Sequence, residues 1–480
     1  MIKTSLPADA IARVMAPLAG ALGDHAASRP GAPAGRQPVH TFYGGAHLFR
    51  ADLVPKIGKA ALHAFEENAP DPIAFASTFG LPGASTLTRP KSPLAAFNVA
   101  FDDELPLDPH LNRPAWLAHT VYARVLEKLR HEPVEDLRID FEDGYGVRTD
   151  AEEDYHAATA ARELAQGKAS HLLPALLGIR IKPLDGQHRA RAVRTLDVFF
   201  TTLLEEAKTP PPPGFVVTLP KITVPEQVTA LAELLSAIEG AHGLTRGSIG
   251  VELMIETPES LFGPRGELAM VDLVDRAGGR AVAAHLGAYD LTAACEITAA
   301  HQRLTHPLCD LARHLMQLAL AQRGLRLADG ATSTLPLPLH KPQAQPLNAH
   351  QISENREAIH RAWKLHYDNI QHALGQGFYQ GWDLHPAQLP VRYAATYAFF
   401  LENLAPAAER LKNFVERAAQ ATRVGQIFDD AATGQGLLNF FLRALSSGAL
   451  FEDEVLGATG LSTNELRGRS FVKIVESRRG

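Results

Sequence analysis

The sequence lacks the features that mark several classes of protein. Only two cysteines occur in 480 residues, Cys295 and Cys309, and their spacing fits neither a disulfide framework nor a thiolate metal site. We therefore expect buried free thiols. No apolar run reaches the roughly 20 residues of a membrane span. The apolar segment 11–22 is interrupted by Arg13 and Pro17, so we do not expect a signal peptide.

The sequence also lacks an excess of positive charge. Its 47 Lys and Arg residues are outnumbered by 53 Asp and Glu residues, which argues against a nucleic-acid or membrane-surface partner. A glycine-rich first turn, typical of a dinucleotide-binding fold, is missing too. With 46% hydrophobic and 21% charged residues, the composition is typical of a globular enzyme, and we expect a cytoplasmic protein that acts on a small molecule.

What the chain does contain is a regular alternation of strand and helix patterns between residues 40 and 400. The count is about eight, which favours an α/β fold of the (β/α)8 TIM-barrel type over a doubly wound open sheet with the same alternation. The predicted strands are 40–49, 134–143, 176–183, 215–222, 251–256, 281–290, 325–329 and a segment within 378–386.

The remaining segments lie before, within and after the predicted barrel. Residues 1–38 are predicted to be an N-terminal lead and linker, and residues 39–400 the catalytic barrel. Within it, 69–112 shows no clear period and is predicted to be a long early insertion. Residues 401–480 have helical patterning only, and we expect a C-terminal helical extension that packs on the barrel or on a neighbouring subunit of a homo-oligomer.

Two carboxylates follow neighbouring predicted strands. Glu256 ends an almost wholly apolar strand, and Asp290 ends the next one. The carboxyl ends of barrel strands meet at one mouth, so we expect the two side chains to lie close together. An all-oxygen pair suits Mg²⁺, which takes one or two protein carboxylates plus water and substrate oxygens. The alternative is that both are structural groups bonded to backbone amides at helix starts.

Other polar residues end other strands. Arg180 is predicted to hold a carboxylate or an enolate by two parallel hydrogen bonds, or to form a salt bridge with Asp140 or Glu142, and both roles are compatible. Asp140 and Glu142 share a face by strand alternation and are followed by Asp143. Lys221 is interpreted as a structural cation beside these acids rather than as a catalytic amine.

Taken together, these segments resemble the citrate lyase beta subunit and HpcH/HpaI aldolase superfamily, with malyl-CoA lyase-like and, more distantly, malate synthase-like character. The matching segments stand in the superfamily's order. They are Ile139-Asp140-Phe141-Glu142-Asp143, Ile179-Arg180-Ile181, Leu219-Pro220-Lys221-Ile222, Met254-Ile255-Glu256-Thr257-Pro258, Leu286-Gly287-Ala288-Tyr289-Asp290-Leu291 and Leu384-His385-Pro386-Ala387-Gln388.

The resemblance implies a function and a cofactor. The barrel would bind Mg²⁺ or Mn²⁺ through Glu256 and Asp290, and Arg180 would steady an enolate. The implied activity is that of a carbon–carbon lyase or aldolase, acting through a metal-stabilised enolate on a 2-oxo acid, pyruvate- or phosphoenolpyruvate-like, or on an acyl-CoA substrate. Two other hypotheses remain open: an acyl-CoA thioester hydrolase on the same scaffold, and a non-catalytic oxo-acid-binding regulator.

The resemblance also nominates individual residues. Pyruvate aldolases of the HpcH type carry a catalytic His in the turn after the acidic strand, but residues 144–148 contain none, and His47 is the candidate substitute. The candidate catalytic residues are thus Arg180, Glu142, Asp143 and His47, and the candidate substrate-binding residues are Arg180, Gly287, Ala288 and Lys221.

Overall fold

The chain folds into a closed barrel of eight parallel strands arranged in sequence order, which confirms the predicted (β/α)8 fold. The computed structural model describes residues 5–28, 30–31, 35–87, 112–320, 322–342, 345–416, 422–424, 427–429 and 431–479. The strands are β1 (His40–Gly45), β2 (Asp136–Asp140), β3 (Leu176–Arg180), β4 (Val216–Leu219), β5 (Gly250–Ile255), β6 (Ala281–Leu286), β7 (Arg326–Ala331) and β8 (Gln380–Asp383). β1 pairs with β8 and closes the ring.

Helices surround the barrel because each strand buries its outward apolar side chains against them. They are α1 (Ala8–Ser28), α2 (Leu53–Asn68), α3 (Pro72–Phe79), α4 (Arg113–His131), α5 (Asp150–Ala169), α6 (Arg189–Thr201), α7 (Glu226–Ala241), α8 (Pro258–Leu261), α9 (Ala269–Arg276), α10 (Ala288–Ala294), α11 (Pro307–Leu320), α12 (Ala349–Gly375), α13 (Leu389–Glu402), α14 (Leu404–Glu416), α15 (Ala431–Ser446), α16 (Glu452–Thr459), α17 (Thr463–Arg467) and α18 (Phe471–Arg479). Local signals set several starts; at α5, for example, Thr149 and Glu152 form a reciprocal capping box. None of the helices in the described ranges is both long and apolar enough to cross a membrane.

The inside of the barrel contains a buried group of charged side chains. On β5, alternation sends Val251 and its i+2 neighbours towards the helices and turns Glu252 inward. Arg138 of β2 reaches across to Glu252, with Nε 3.0 Å from Oε1 and Nη2 2.6 Å from Oε2, and it also contacts Asp136. All three side chains are essentially inaccessible to solvent. Burying a charged side chain is costly unless an opposite charge pairs with it, and each of these three side chains has an oppositely charged partner.

Two aromatic side chains lie in the same interior. Tyr43 and Trp382 stack with their ring centres 4.5 Å apart, and the Tyr43 hydroxyl lies 3.3 Å from Glu252 Oε1. The indole Nε1–H of Trp382 donates to His285 Nδ1 at 2.9 Å, so Nδ1 carries no proton. The proton of His285 therefore lies on Nε2, which is 2.9 Å from Glu252 Oε2. We call Asp136, Arg138, Glu252, His285 and Tyr43 the interior network.

Several predicted boundaries differ from the structure. Most strands end earlier than predicted, and Asp290 lies in the first turn of α10 instead of at the end of β6. The segment 69–112 was predicted to be structureless, but its described part contains α3, which begins at the Asp71 cap; residues 88–111 lie outside the described residues. Cys309 is buried as expected, whereas Cys295 is exposed, and both are free.

The C-terminal segment packs on the barrel's helices. Phe440 of α15 contacts the ring of Phe400, and Arg124 of α4 bonds the carboxylate of Glu454. The prediction of helices alone is wrong at one place, because Thr422–Val424 and Ile427–Asp429 form an antiparallel hairpin (β9 and β10). The domain limits themselves stay predictions.

Candidate active site

A cavity of about 640 Å³ opens at the carboxyl ends of the barrel strands. We call it the mouth cavity. The Asp, Glu and Arg side chains that line it, among the described residues, come from the last residue of a strand or from the segment after it: Asp140, Asp143, Arg180, Glu256 and Asp290. The structure thus brings Arg180 and the two predicted metal ligands to one end of the fold. Gly287 and Ala288, predicted to contact substrate, line the same cavity.

Arg180 is held rigidly at the floor of the mouth cavity. Its Nε donates to Asp140 Oδ1 at 2.7 Å, its Nη2 bonds the other Asp140 oxygen, and Nη1 lies 3.1 Å from Glu142 Oε2. The guanidinium carbon sits 5.0 Å from the centre of the Tyr43 ring. Burial opposes the charge, yet the Asp140 carboxylate outweighs it and holds the pKa of Arg180 well above its usual range. Arg180 is therefore a fixed, permanent cation.

Asp140 is itself fixed by the turn that follows β2. Its Oδ1 accepts from the backbone N–H of Glu142 at 2.9 Å, and its Oδ2 accepts from that of Gly144 at 2.8 Å. A side chain at Gly144 would place its Cβ 2.6 Å from Asp140 Oδ2, so only glycine fits there. The acidic segment predicted from the sequence thus orients Arg180 through Asp140 and Glu142.

Glu256 is the most perturbed acid of the site. The residue is 1% exposed, and burial raises the pKa of its carboxyl to about 8, with the neighbouring Asp290 raising it further and Lys221 opposing. Its one hydrogen bond comes from the backbone N–H of Lys221, 2.7 Å from Oε1. A Cβ at Gly287 would lie 2.2 Å from the other oxygen, so the glycine gives the carboxylate its room. A buried carboxylate with so little compensation favours binding of a cation.

Lys221 stands among four acids. Its ammonium bonds the Glu142 carboxylate, lies 3.3 Å from Asp143 Oδ2 and lies 3.6 Å from Asp290 Oδ1. Burial opposes its charge, but Glu256 and Glu142 raise its pKa above the usual value. An amine held in the charged form is a counter-ion rather than a base. The backbone of Lys221 has φ of 49°, a strained conformation that aims its N–H at Glu256.

His47 does not line the mouth cavity. Its ring lies against Tyr145 and His156, with ring centres 5.7 and 6.2 Å away. Its neighbours in the β1–α2 turn, Gly45 and Leu48, do reach the cavity. Burial and the adjacent Arg148 lower the pKa of His47. Nothing in this placement supports His47 as the proton-transfer group, and its catalytic role stays a prediction.

Sequence reasoning missed the apolar wall of the mouth cavity. One side is formed by aliphatic and aromatic side chains from the β1–α2 turn, from α2 and from the segment after β8: Phe42, Leu48, Leu53, Ile57, Leu384 and Pro386. Leu48 is 60% exposed, unusual for a leucine between a strand and a helix. The mostly apolar turn Ala46-His47-Leu48-Phe49 is the feature of the sequence that could have predicted this wall.

The donor set fits a hard divalent cation. The described residues contain no group of three or more His, Cys, Asp or Glu side chains that could hold a metal. Glu256 and Asp290 both line the mouth cavity and offer a pair of carboxylates, which is the number that Mg²⁺ takes when water and substrate complete its shell. Burial and the neighbouring Asp290 raise the pKa of Glu256 although Lys221 opposes them, so a bound cation would stabilise its charged form.

Comparisons with known proteins extend the description. A family model described as "Domain of unknown function (DUF6986)" matches residues 21–474. A comparison with curated proteins found no match. Among solved structures, the chain is similar to a citrate lyase from Burkholderia xenovorans LB400, with 20% identity, a TM-score of 0.52, and coverage of 71% of this chain and 92% of that one. This likeness shows the fold alone.

Malate synthase from Haloferax volcanii is a more distant neighbour. Its magnesium/glyoxylate complex is 18% identical, covering 71% of this chain and 86% of that one, with a TM-score of 0.40. Its pyruvate/acetyl-CoA ternary complex is 16% identical, covering 72% and 88%, with a TM-score of 0.41. These values are too low to carry an argument.

Proposed function

The chain belongs to the DUF6986 family, and we propose that it is a Mg²⁺-dependent carbon–carbon lyase of the aldolase type that acts on a 2-oxo acid. One observation carries this proposal. A fixed guanidinium and a pair of carboxylates, Arg180 with Glu256 and Asp290, line the same cavity at the carboxyl ends of the strands. Chemistry in barrels of this type occurs at that end.

Arg180 supplies the positive end of the site. A guanidinium has five N–H donors, and Asp140 and Glu142 occupy three of them, which leaves two for a ligand. Two parallel donors match a carboxylate or an enolate oxygen pair. Because Arg180 rests on Tyr43 and is fixed by Asp140, it needs no reorganisation when negative charge develops. A donor of this kind is worth about 3–4 kcal/mol in the transition state.

Glu256 and Asp290 would hold the Mg²⁺ or Mn²⁺ ion. When bound there, a divalent cation supplies a Lewis acid that polarises the substrate's carbonyl group. Lys221 is the shared counter-ion of Asp290 and Glu142 and positions Glu256 through its backbone N–H. We assign proton transfer to Asp143, which lines the cavity and is the acid of the turn most exposed to solvent, with its side chain 59% exposed.

The rest of the cavity lining indicates the polarity of the part of the substrate that lies farthest from Arg180. Beyond the charged end, the wall is the apolar set that includes Leu48, Leu53 and Leu384. Arg180 is the only cation among the described residues that line the cavity. We therefore propose a 2-oxo acid whose acidic end faces Arg180 and whose far end is uncharged and apolar. Acyl-CoA remains a second candidate, through its apolar acyl and pantetheine portions.

The test is release of pyruvate from 4-hydroxy-2-oxo acids with apolar substituents, assayed with and without Mg²⁺. Replacing Glu256 by Gln removes the charge at constant shape, and we expect Mg²⁺-dependent turnover to fall by about three orders of magnitude, the upper range for one preorganised charge. Glu259→Gln is the matched control, because Glu259 is an exposed glutamate three residues along the same segment and should retain full activity. Metal-dependent cleavage that persists in Glu256→Gln would refute the assignment.

A further inference from the structure

A second polar region lies at the opposite end of the barrel from the mouth cavity. Two cavities of about 90 and 440 Å³ adjoin where the amino ends of β7 and β8 meet α15. They share three lining residues, Gln37, Tyr379 and Arg443, so they are neighbouring parts of one region. We call this space the basal cavity. No aspartate or glutamate lines it within the described part of the chain.

Arg443 of α15 is the central cation of the basal cavity. Its guanidinium carbon lies 5.0 Å from the centre of the Tyr379 ring. No carboxylate of the described residues comes within ion-pair distance of it. Burial and the nearby Arg469 lower its pKa, and Tyr379 opposes them only in part.

Two further arginines line the same space. Arg326, the first residue of β7, has its Nε buried without a hydrogen-bond partner. Asp136 and Glu252 of the interior network attract it and Arg138 repels it, but it forms no ion pair with any described residue. Arg469 is exposed at the outer edge, where only its backbone carbonyl accepts a bond, from Gln435. Three arginines thus line a space that, among the described residues, no aspartate or glutamate lines.

The neutral groups of the wall are hydrogen-bonding groups as well. The larger part is lined by the amides of Gln322, Gln435 and Asn439 and by the hydroxyl-bearing Ser446. The smaller part adds Gln317 and Gln380. A buried guanidinium without a partner is costly, and side chains of this kind solvate an oxyanion well.

We propose that the basal cavity binds a small molecule bearing a phosphate or carboxylate group, with Arg443 as the main anchor and Arg326 and Arg469 beside it. The oxyanion of the ligand takes the position that an aspartate or glutamate carboxylate occupies in an ordinary salt bridge with arginine. A volume of about 440 Å³ lies within the range of small-molecule sites. This site is separate from the proposed catalytic mouth and does not depend on the function assigned there.

The test is isothermal titration calorimetry of the full chain with two probes, pyrophosphate and citrate, in Mg²⁺-free buffer at constant ionic strength. We expect one saturable site for at least one probe, and the tighter probe distinguishes a phosphate ligand from a carboxylate ligand. Arg443→Gln should weaken that binding about tenfold or more, as expected for a lost charge-assisted contact. Arg469→Gln should weaken it less, and because Arg469 is exposed this variant keeps the test valid if Arg443→Gln does not fold.

Arg467→Gln is the matched control. Arg467 lies two residues from Arg469, has its side chain 71% exposed, and is paired with Glu452 at 3.3 Å, so the same loss of charge should leave binding unchanged. Arg180→Gln should also leave it unchanged, because Arg180 lies at the other end of the barrel. The proposal is overturned if neither probe binds saturably, or if both cavity variants bind as tightly as Arg467→Gln.

Discussion

Two glutamates of the same strand segment show what separates the interior of this barrel from its mouth. Glu252 and Glu256 are four residues apart, and both are buried. Burial opposes the charge of Glu252, but Arg138 and His285 hold its pKa well below the usual range. Glu256 has one backbone donor and an acid neighbour, and its pKa rises to about 8. Burial alone therefore does not decide the state of an acid; its partners do.

The difference in partners separates a carboxylate that stabilises the fold, Glu252, from one that we propose binds a ligand, Glu256. Every oxygen of Glu252 is engaged by Arg138, Thr218, Tyr43 or His285, so no ligand can add to it without breaking these contacts. Glu256 lines the mouth cavity and has one hydrogen bond among the described residues, and Lys221 and Arg180 only partly offset the cost of burying its charge. A compensated buried acid stabilises the fold, whereas an uncompensated one favours binding of a cation.

The largest expected effect comes from breaking the interior network. Glu252→Gln leaves Arg138 buried with one fewer partner, and we expect the free energy of unfolding to fall by about 3–5 kcal/mol. Urea unfolding at pH 7 measures it. Glu256→Gln is the matched control on the same strand segment; it removes a carboxyl that must take up a proton on folding at pH 7, so it should not lower the free energy of unfolding. Equal losses in the two variants would remove the distinction drawn between them.

The pH dependence of stability should differ in sign between the two acids. Glu256 has a folded pKa near 8, above its usual 4.5, so the native state binds one more proton between these values. Its contribution is therefore complete at low pH and is lost as pH rises towards 8. Glu252 has a lowered folded pKa, so its contribution is present above the unfolded pKa and is lost as pH falls.

Measuring unfolding free energies without divalent metal at about pH 5 and pH 8.5 tests this contrast. Between these two pH values, the free energy of unfolding of the wild-type protein should fall by a few kcal/mol relative to that of Glu256→Gln. This size follows from about 1.4 kcal/mol per pKa unit. If the two proteins show the same pH profile, the perturbed carboxyl is not that of Glu256.

The smallest expected effect is stabilisation by the cation itself. At a Mg²⁺ concentration about 100 times its Kd, binding adds about 2.7 kcal/mol, a shift of a few degrees in Tm. The shift should be greater at pH 8.5 than at pH 6.5, because the ion needs Glu256 deprotonated. Thermal melts of Asp290→Asn should show no shift and those of Glu259→Gln the full one. An undiminished shift in Asp290→Asn would place the ion elsewhere.

The sequence alone determined the barrel and the residues at its mouth. Strand alternation and order are local properties, so the repeated pattern predicted the eight parallel strands. Residues that end parallel strands must meet at one end, which is why Arg180, Glu256 and Asp290 were expected together and why the structure has them lining one cavity. Their chemical roles remain proposals.

Only the tertiary structure decided which side chains compensate one another. Arg138 meets Glu252 across the barrel at a separation of 114 residues, and the β1 turn carries Leu48 to the cavity wall but leaves His47 against Tyr145. The basal cavity likewise forms from segments hundreds of residues apart. Closure of the sheet and the path of the loops set these contacts, and charge compensation depends on distances that a one-dimensional pattern does not contain.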